Sequence, residues 1–488
     1  MYALAAVDIG AESGRVILGQ VSADSIELRE IHRFLNVPVR IAETLYWDFP
    51  YLYSQVISGI GKVLTQCERL ESVGIDTWGV DFGLIDKRGR LLQNPVHYRD
   101  RRTKGIMEKA FKAVPKQEIY EKTGIQFMEI NTIYQLYSLI VDNDPLLEIA
   151  DKILMIPDLF NHFLTGGTLS EFTNASTTQM YDCRSRAWVK DLVGKLGIRS
   201  DLFPEVVDAG TEVGYIEVEE LPKGIKLVAP ATHDTGSAVA GTPFINADNS
   251  VFISCGTWAL VGMETKQPIV NQVSMEWNLS NEGGVHGTTR FLKNVMGLWL
   301  LQECRRQWAK EGVELGYDVL VDNASKVGQA VALIDPDNPE FLYPGDLPAR
   351  IKQFCAKTEQ PIPEGPAQIA RTIMESLALK FDFVISLLKK ASSREVERIH
   401  IVGGGSRNTL LCQLTADATG LEVVAGPAEA TALGNIGMQG VALGIFNSIH
   451  DVRLLIGKLP EIRTYSPIND MSNKKARFSE LLGVSGVL

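Results

Sequence analysis

The chain has 488 residues, of which 45% are hydrophobic and 22% charged, a composition that excludes disordered, collagen-like and coiled-coil proteins. The formal net charge of −11 disfavours non-specific binding to nucleic acid, although a small anion could still bind to local backbone dipoles. There is no basic signal-peptide segment, no apolar run long enough for a membrane span and no CxxC pair or His/Cys cluster. We therefore expect a cytoplasmic protein with reduced thiols, without structural zinc, and with about two to four domains.

The first half of the sequence predicts a β-meander, then a helix and another strand. The runs LAAVDIG, RVILGQV and SIELREIHRF predict three antiparallel strands, with a turn at residues 19–25 between the second and the third. Helical periodicity over residues 50–70 predicts a helix, and SVGIDTW predicts the strand that follows it. This order is typical of an α/β layer.

The second half repeats this plan. SVFISCGTWALVGMET predicts a strand, a small-residue turn and a second strand, and residues 364–391 predict a long amphipathic helix. RIHIVGGG predicts a strand that runs into three glycines, SRNTLLCQLTADATG a helix, LEVVAG a strand, and ATALGNIGMQGVALGI a helix suited to close packing. We predict two α/β domains of similar plan, joined near residues 243–250. No element is predicted for residues 161–225 or 333–366, and no site after about residue 445.

Two turns in equivalent places are candidates for phosphate binding. In DIGAESGR the strand ends at Asp8, the turn is small, Ser13 and Arg15 add donors, and Asp8 could hold a hydrated Mg²⁺. In SCGTWALVG the pair Gly256-Thr257 lies between two strands in the same way. Each turn alone could be an ordinary hairpin, and the GxxxxGK[ST] loop is absent. Together the two turns indicate a phosphate held from both sides.

Two further motifs lie between a strand and a helix. In VAPATHDTGSAVAG a strand end meets a helix start at Asp234, where a carboxylate could take a proton from a substrate hydroxyl or simply cap the helix. The glycines of IHIVGGGSRN could let a ring and its ribose lie against the backbone, or form only a turn. No GxGxxG sequence is present, which disfavours a dinucleotide-binding fold.

The fifth candidate is a charged stretch from VGIDTWGVDF to VHYRDRR. It could recognise a polyol with its carboxylates and an aromatic face, or form a partly buried ion-pair network. Its residues are Asp76, Trp78, Asp81, Asp86, Arg99, Asp100, Arg101 and Arg102.

In order and spacing, these five motifs resemble those of the FGGY carbohydrate kinases, and the resemblance extends over nearly the whole chain. It rests on the segments AVDIGAESGRV, REIHRF, GIDTWGVDF, YRDRRT, TGIQF, NTIYQLY, THDTGSAV, SCGTWALVG, NEGG, LKNVMGLWLLQ, HIVGGGSRNTLL and AGPAEATALGNIG. The resemblance implies an α/β, two-domain actin/hexokinase/Hsp70-like (ribonuclease H-like) ATPase fold with ATP and sugar in the interdomain cleft. It also implies an N-terminal domain at 1–243 that binds the sugar and carries the first phosphate loop, a nucleotide-binding C-terminal domain at 244–445, and an unassigned tail at 446–488.

The resemblance also implies roles for individual residues. Asp234 would be the catalytic base and a sugar ligand, and Asp8 would hold Mg²⁺, through water. ATP would be bound by Ala11, Glu12, Ser13, Gly14, Arg15, Thr257, Gln302 and Gly404. The sugar would be bound by Gly79, His233, Thr235 and Asn294. Glu12 departs from the small hydroxyl residue expected there, so its side chain should point away from the phosphates.

Within the family, the motifs favour phosphorylation of L-rhamnulose at O1 by ATP. The DTWGVD segment replaces the Gln-containing segment of kinases that act on xylulose or glycerol, and L-fuculose kinases are the nearest alternative. A non-enzymatic actin-like nucleotide switch is a remote alternative, which would need no sugar-facing acid at Asp234. The expected partners are the sugar and ATP, without nucleic acid or membrane, and the expected state is a monomer or a weak homodimer.

Overall fold

The computed structural model describes residues 1–484, and these form two compact units. Unit 1 comprises Met1–Ile245, Glu264–Phe291 and Ala430–Lys458. Unit 2 comprises Asn246–Met263, Leu292–Glu429 and the residues from Leu459 onward. The chain thus first leaves unit 1 after Ile245 and returns to it twice.

Strands and helices alternate through the first 245 residues. The strands are β1 Tyr2–Ile9, β2 Ser13–Ser22, β3 Ser25–Leu35, β4 Val39–Ile41, β5 Thr44–Tyr46, β6 Ser72–Thr77, β7 Phe82–Ile85, β8 Lys152–Met155, β9 Leu169–Glu171, β10 Tyr181–Asp182, β11 Ala187–Trp188, β12 Glu205–Val207, β13 Thr211–Tyr215 and β14 Lys226–Ala229. The helices are α1 Phe49–Leu64, α2 Ile106–Ala113, α3 Lys116–Thr123, α4 Thr132–Val141, α5 Leu146–Ile149, α6 Ile156–Thr165, α7 Phe172–Ala175, α8 Lys190–Lys195 and α9 Asp234–Ala240.

The rest of the chain has longer helices between its strands. The strands are β15 Ser250–Cys255, β16 Trp258–Thr265, β17 Ser280–Gly283, β18 Thr289–Met296, β19 Arg398–Val402, β20 Glu422–Ala425 and β21 Arg463–Tyr465. The helices are α10 Gln272–Glu276, α11 Trp299–Lys310, α12 Tyr317–Lys326, α13 Leu347–Lys357, α14 Gly365–Ser392, α15 Thr409–Thr419, α16 Ala430–Ala442, α17 Ile449–Ile456 and α18 Ser472–Leu481.

The main sheet of unit 1 has the strand order β13-β14-β6-β1-β2-β3. Strands β1, β2 and β3 form the predicted antiparallel meander, and β6 and β14 continue the sheet in parallel. The turn predicted at residues 19–25 is wrong, because β2 stays paired with β3 as far as Ser22 and only two residues connect them. The helix predicted over residues 50–70 ends at Leu64, where the Thr65 side chain and N–H both donate to the Lys62 carbonyl.

Unit 2 repeats this strand order. Strand β16 runs antiparallel to β15, while β19 and β20 follow in parallel on the other side of β15. A central first strand with an antiparallel hairpin on one side and parallel strands on the other therefore occurs twice in the chain. This topology confirms the predicted ribonuclease H-like plan. The helix predicted from Ser406 begins later, at Thr409, because Asn408 caps it by accepting from the Leu411 N–H.

Two helices of unit 1 cross without intervening side chains, as the small residues of α16 predict. A Cβ atom on Gly434 would lie 1.8 Å from the Ser237 carbonyl oxygen, and one on Gly241 would lie 2.2 Å from the Ala430 carbonyl oxygen. Neither clash is with a movable side chain, so only glycine fits at this crossing of α9 and α16.

The regions without a sequence prediction contain short elements. Residues 161–225 include β9 to β13 with α7 and α8, and residues 333–366 include α13. Beyond residue 445, α17 packs in unit 1 and β21 pairs with β20. All six cysteines are free, and residues 1–484 contain no helix long and apolar enough to cross a bilayer.

Candidate active site

Three charged residues face one another on neighbouring strands of unit 1. Asp8 at the end of β1 is the cross-strand partner of Arg15 on β2 and of Asp76 on β6. The Arg15 Nη2 donates to Asp8 Oδ2 at 2.5 Å. Asp76 is fully buried, and its burial, followed by the nearby Asp8 carboxylate, raises its pKa well above the ordinary value. The ends of these strands therefore bring two carboxyl groups together beside Arg15, and burial disfavours a negative charge on Asp76.

Two side chains of helix α16 fix the orientation of Asp76 through a chain of hydrogen bonds. The Asn435 Nδ2 donates to Asp76 Oδ2 at 2.6 Å, and Gln439 Nε2 donates to Asn435 Oδ1 at 2.7 Å. Gln439 is held in turn by the Ala5 carbonyl and the Ser72 hydroxyl. Asn435 and Gln439 were missed by the sequence reasoning, which used α16 only for its small residues.

The first hairpin loop is fastened by a residue that follows β3. The Gly10 N–H donates to the Ser13 carbonyl, so only Ala11 and Glu12 form the tip of the loop, and Ser13 to Arg15 already belong to β2. Asn36 donates twice, from Nδ2 to the Gly10 carbonyl at 2.9 Å and from its N–H to the Glu12 carbonyl at 3.0 Å. The loop is thus held by its carbonyl oxygens.

Asp234 is the first residue of α9, and His233 is its N-cap. Within unit 1, both hydrogen bonds that Asp234 accepts end on Oδ1: one from the Thr235 N–H at 2.6 Å and one from the Thr235 hydroxyl at 3.2 Å. The side chain is 31% exposed. Burial, followed by the charge of the Asp8 carboxylate, raises the pKa of Asp234 to about 7. A carboxylate with this pKa is suited to proton transfer near neutral pH.

Glu171 fixes the chain just before Asp234. It is buried, and its Oε2 accepts from the Thr232 N–H at 2.9 Å and from the Thr232 hydroxyl at 2.8 Å. Its two oxygens also accept from the N–H and hydroxyl of Thr173, and the Thr173 hydroxyl accepts from the His233 N–H. The polar run EFTNASTTQ, left unassigned from sequence, is buried throughout.

The turn after β6 brings Gly79 to the same place. A Cβ atom on Gly79 would lie 3.1 Å from Thr177 Oγ1 and 3.3 Å from His233 Nε2. Val80 has φ of +66°, which is a strained backbone conformation for a β-branched residue. Its N–H donates to Thr177 Oγ1 and its carbonyl accepts from the Thr132 hydroxyl. Strain held in this way is typical of ligand-binding turns.

The fifth candidate stretch is not a single cluster. Asp81 is fully buried and accepts from Trp47 Nε1, Trp78 Nε1, the Tyr98 N–H and Gln135 Nε2 at 2.6–3.1 Å. Burial raises the pKa of Asp81 to about 6 against the opposing effect of these donors. Gln135 links Asp81 to Arg102, because its Oε1 accepts from Arg102 Nη2, and the Arg102 N–H donates to Asp100 Oδ1. The other charges form separate contacts: Asp86 with Arg90, Arg101 with Glu43, and Arg99 over the Tyr98 ring.

The second hairpin loop belongs to unit 2 and is fastened by the start of α11. The Leu298 N–H donates to the Gly256 carbonyl at 2.9 Å, and the N–H groups of Gly297 and Trp299 donate to the Thr257 carbonyl at 3.1 and 3.2 Å. A Cβ on Gly297 would lie 2.7 Å from the Gly256 carbonyl oxygen. Both hairpin loops are therefore held through their carbonyl oxygens, by unrelated partners.

The other predicted nucleotide residues also lie in unit 2. Gly404 begins a short 3₁₀ turn after β19, and a Cβ atom there would meet no heavy atom within 4 Å. A Cβ on Gly405 would instead lie 2.4 Å from Cys255 Sγ. Gln302 lies on α11 with a buried Oε1 that has no hydrogen-bond partner among residues 1–484, and Asn294 lies on β18.

Unit 1 thus brings together Asp8, Gly79, His233, Asp234 and Thr235 with the first hairpin loop, and unit 2 carries Thr257, Asn294, Gln302 and Gly404. Over residues 1–484 there is no group of three or more His, Cys, Asp or Glu side chains that could hold a metal by themselves. Mg²⁺ usually keeps several waters and binds one or two carboxylates together with phosphates. Asp8, beside the buried Asp76, fits a site of that kind.

The model of the N-terminal domain of the FGGY family of carbohydrate kinases matches residues 2–241, and the model of its C-terminal domain matches residues 251–443. The chain belongs to the FGGY family of carbohydrate kinases. A rhamnulokinase of Bacteroides thetaiotaomicron is 41% identical to this FGGY kinase over 467 residues, which cover 95% of each chain. A rhamnulokinase of an Enterobacter species is 38% identical over 479 residues, which cover 97% of each chain.

Solved structures support the same fold for this FGGY kinase. A ligand-bound xylulose kinase of Lactobacillus acidophilus has a TM-score of 0.79 at 16% identity, over 99% of this chain and 96% of that one. A glycerol kinase of Plasmodium falciparum with ADP has a TM-score of 0.80 at 15% identity, over 99% of this chain and 97% of that one. The predicted two-domain α/β fold of the actin-like ATPases is confirmed.

Proposed function

We propose that this protein transfers the γ-phosphoryl group of ATP to O1 of L-rhamnulose, giving L-rhamnulose 1-phosphate and ADP. The observation that carries the proposal is the similarity to rhamnulokinases, at 38–41% identity over at least 95% of the chain. The kinase family alone would leave the sugar open, since one fold serves many substrates. The carboxylate of Asp234, which within unit 1 accepts from the Thr235 N–H and hydroxyl, supports a reaction that starts at a hydroxyl group.

In the proposed reaction Asp234 accepts the proton of the O1 hydroxyl. The O1–phosphorus bond forms as the bond between the γ-phosphorus and the β,γ-bridging oxygen breaks, and that oxygen leaves with ADP. Phosphoryl transfer needs alignment and charge neutralisation more than covalent help from the protein. Asp234 is suited to this step because its pKa of about 7 leaves a basic carboxylate at neutral pH.

The sugar ligands that we propose are Gly79, His233, Thr235 and Asn294. In unit 1 a Cβ atom on Gly79 would be crowded, at 3.1 Å from Thr177 Oγ1 and 3.3 Å from His233 Nε2, so a side chain there would press on a proposed sugar ligand. Glu171 and Thr173 would not touch the sugar but would hold the segment that carries His233 and Asp234.

The nucleotide ligands that we propose are the residues of the first loop, Ala11 to Arg15, with Thr257, Gln302 and Gly404. Hydrogen bonds from Asn36 engage the loop carbonyl oxygens, which favours the use of loop N–H groups and of the Ser13 hydroxyl for phosphate oxygens. The buried Gln302 Oε1 would accept from an N–H donor of the ligand. Asp8 would hold Mg²⁺ through water, and the cation would neutralise the charge of the triphosphate.

The test is ADP release by purified protein with ATP, Mg²⁺ and each of four acceptors: L-rhamnulose, L-fuculose, D-xylulose and glycerol. We expect the highest kcat/KM with L-rhamnulose, because sites that hydrogen-bond a particular hydroxyl reject mismatched analogues by factors of roughly 10⁴ in favourable cases. Equal or better use of L-fuculose would overturn the sugar assignment but keep the kinase class. ADP release that no acceptor stimulates would contradict the whole proposal.

We also propose a cytoplasmic location and a monomeric or weakly dimeric state with small-molecule partners only, as expected from the sequence. Light scattering after gel filtration, at several protein concentrations, tests the state of association. A stable tetramer or larger assembly would contradict it.

A further inference from the structure

The ring of His233 is buried between elements that meet only in the folded unit 1. The residue is 8% exposed, and it precedes α9 directly. Its Nδ1 faces Arg290 on β18 and Glu282 on β17, and its Nε2 faces Asp234. The state of this ring therefore bears on the proposed catalytic carboxylate.

Arg290 is fully buried, and backbone carbonyl groups hold its guanidinium in one orientation. Its Nε donates to the Gly283 carbonyl at 2.7 Å, and its Nη2 lies 3.4 Å from the Thr173 carbonyl oxygen. The same Nη2 lies 3.0 Å from His233 Nδ1, and Nη1 lies 3.4 Å from Glu282 Oε2. The arginine is thus a fixed donor aimed at one nitrogen of the ring.

A guanidinium group has only donors and stays protonated in proteins. The hydrogen bond between Arg290 and His233 therefore requires Nδ1 to be the acceptor, without a hydrogen of its own. A protonated imidazolium would present two N–H groups and could not make this bond. The ring is consequently neutral, with its single hydrogen on Nε2.

The Nε2 atom lies on the side of the proposed sugar site. It is 3.5 Å from Asp234 Oδ1, and a Cβ atom on Gly79 would lie 3.3 Å from it. A distance of 3.5 Å is long for a direct hydrogen bond, so this N–H is better placed to donate to a substrate oxygen next to Asp234. The pair would then offer a donor and a base side by side.

We propose that Arg290 is a positioning residue, which holds His233 as the neutral Nε2–H tautomer so that the ring donates to the substrate beside Asp234. This inference rests on the proposed sugar-kinase function for its catalytic consequence, whereas the tautomer itself follows from the contacts alone. The role resembles that of a group that orients a catalytic imidazole through its far nitrogen.

The charged groups around the His233 ring have opposing effects on its protonation. Arg290 opposes a positive ring, while the carboxylates of Glu282 and Asp234, and Glu171 farther along the Thr173 contacts, favour one. Burial, followed by the charge of Arg290, lowers the pKa of His233 well below its ordinary value. The ring therefore stays neutral across the physiological pH range.

The first experiment is nitrogen NMR of the histidine rings in the whole wild-type protein, with the His233 signals assigned by comparison with a His233→Gln variant. We expect a bare Nδ1 and a protonated Nε2, unchanged between about pH 5.5 and 8, a window that contains the ordinary histidine pKa. A hydrogen on Nδ1, or titration of this ring within the window, would overturn the inference whatever the kinetics show.

The second experiment compares Arg290→Met, which loses the donor, with Arg290→Lys, which keeps one. Arg290→Met should allow a mixture of tautomers and lower kcat by about 10- to 100-fold, the range seen when a group that orients a metal-bound imidazole is lost. Arg290→Lys should restore part of the wild-type tautomer and rate. An unchanged tautomer and kcat in a folded Arg290→Met variant would overturn the positioning role.

Arg453→Met is the matched control. Arg453 is also buried in unit 1, donates to the Val239 and Ala240 carbonyls and pairs with Glu264, yet it does not touch His233. Its loss should lower stability but leave the His233 signals unchanged. If Arg290→Met does not fold, the wild-type spectrum and Arg290→Lys still decide the outcome. A wild-type tautomer as expected, in a protein that phosphorylates no sugar, would contradict only the proposed function.

Discussion

Asp81 and Asp234 are two carboxylates of unit 1 that differ in the hydrogen-bond donors around them. Asp81 accepts from two indole N–H groups, a backbone N–H and an amide, whereas within unit 1 Asp234 accepts from the N–H and hydroxyl of its neighbour Thr235. The pKa of Asp81 is about 6 and that of Asp234 about 7, both raised by burial. The comparison indicates that a carboxylate saturated by protein donors supports the fold, while one with few donors is available for chemistry.

The largest effect expected from this comparison is a loss of protein stability when Asp81 is replaced. In Asp81→Asn one acceptor oxygen becomes an NH₂ donor facing other donors, so part of the Trp47, Trp78 and Gln135 bonding is lost. Leaving buried polar groups unsatisfied in this way should lower the free energy of unfolding by about 3 kcal/mol. Urea unfolding measures this free energy, and Asp24→Asn, at an exposed position, is the control. A decrease below about 0.5 kcal/mol for Asp81→Asn, which is within the usual range for surface substitutions, would contradict a structural role.

Two glycines of unit 2 should differ in the same way, because replacing one should affect ligand binding and replacing the other should affect stability. Gly404→Val adds a side chain whose Cβ would meet no heavy atom within 4 Å, so the melting temperature should stay unchanged while KM for ATP rises. A steric cost of about 1–3 kcal/mol against the ligand corresponds to about a 5- to 100-fold rise. Gly405→Val, whose Cβ would meet Cys255 Sγ at 2.4 Å, should instead lower stability. An unchanged KM for ATP in folded Gly404→Val would contradict the nucleotide assignment.

The pKa of about 7 for Asp234 predicts how activity varies with pH. The base must be deprotonated, so kcat/KM for the sugar should rise with pH and level off above about 7, falling about tenfold per pH unit below that. Initial rates from pH 5 to 9 in overlapping buffers measure this profile, with circular dichroism as a check on folding. A profile that stays level down to about pH 5.5 would show that this carboxylate does not limit the rate as a base.

How far the sequence reasoning could reach depended on how local each signal was. Asp8, Thr257, Asp234 and Gly404 stand in short motifs at strand ends, and the sequence itself shows that context. Asn435 reaches Asp76 across 359 positions, and Glu171 reaches Thr232 across 61 positions, so neither contact leaves a local pattern.

The charged segment around Asp81 shows the same limit. From sequence, its acids and arginines formed one candidate cluster with two interpretations. The fold separates only some of them, because Gln135 links Asp81 to Arg102 while Asp86 and Arg101 form exposed pairs elsewhere. Composition could locate the charges along the chain, but only packing decides which of them are buried together.

The central claim, that Asp234 is the reactive carboxylate of this kinase, is tested most directly by kcat for Asp234→Asn, with sugar affinity measured by calorimetry on the same preparation. The amide keeps the size and the Thr235 contacts of Asp234 but cannot accept the hydroxyl proton. The account predicts a kcat lower by about 10²- to 10⁴-fold with sugar binding retained. A folded variant that keeps more than about a tenth of kcat, short of the loss expected for a general base, would contradict the claim.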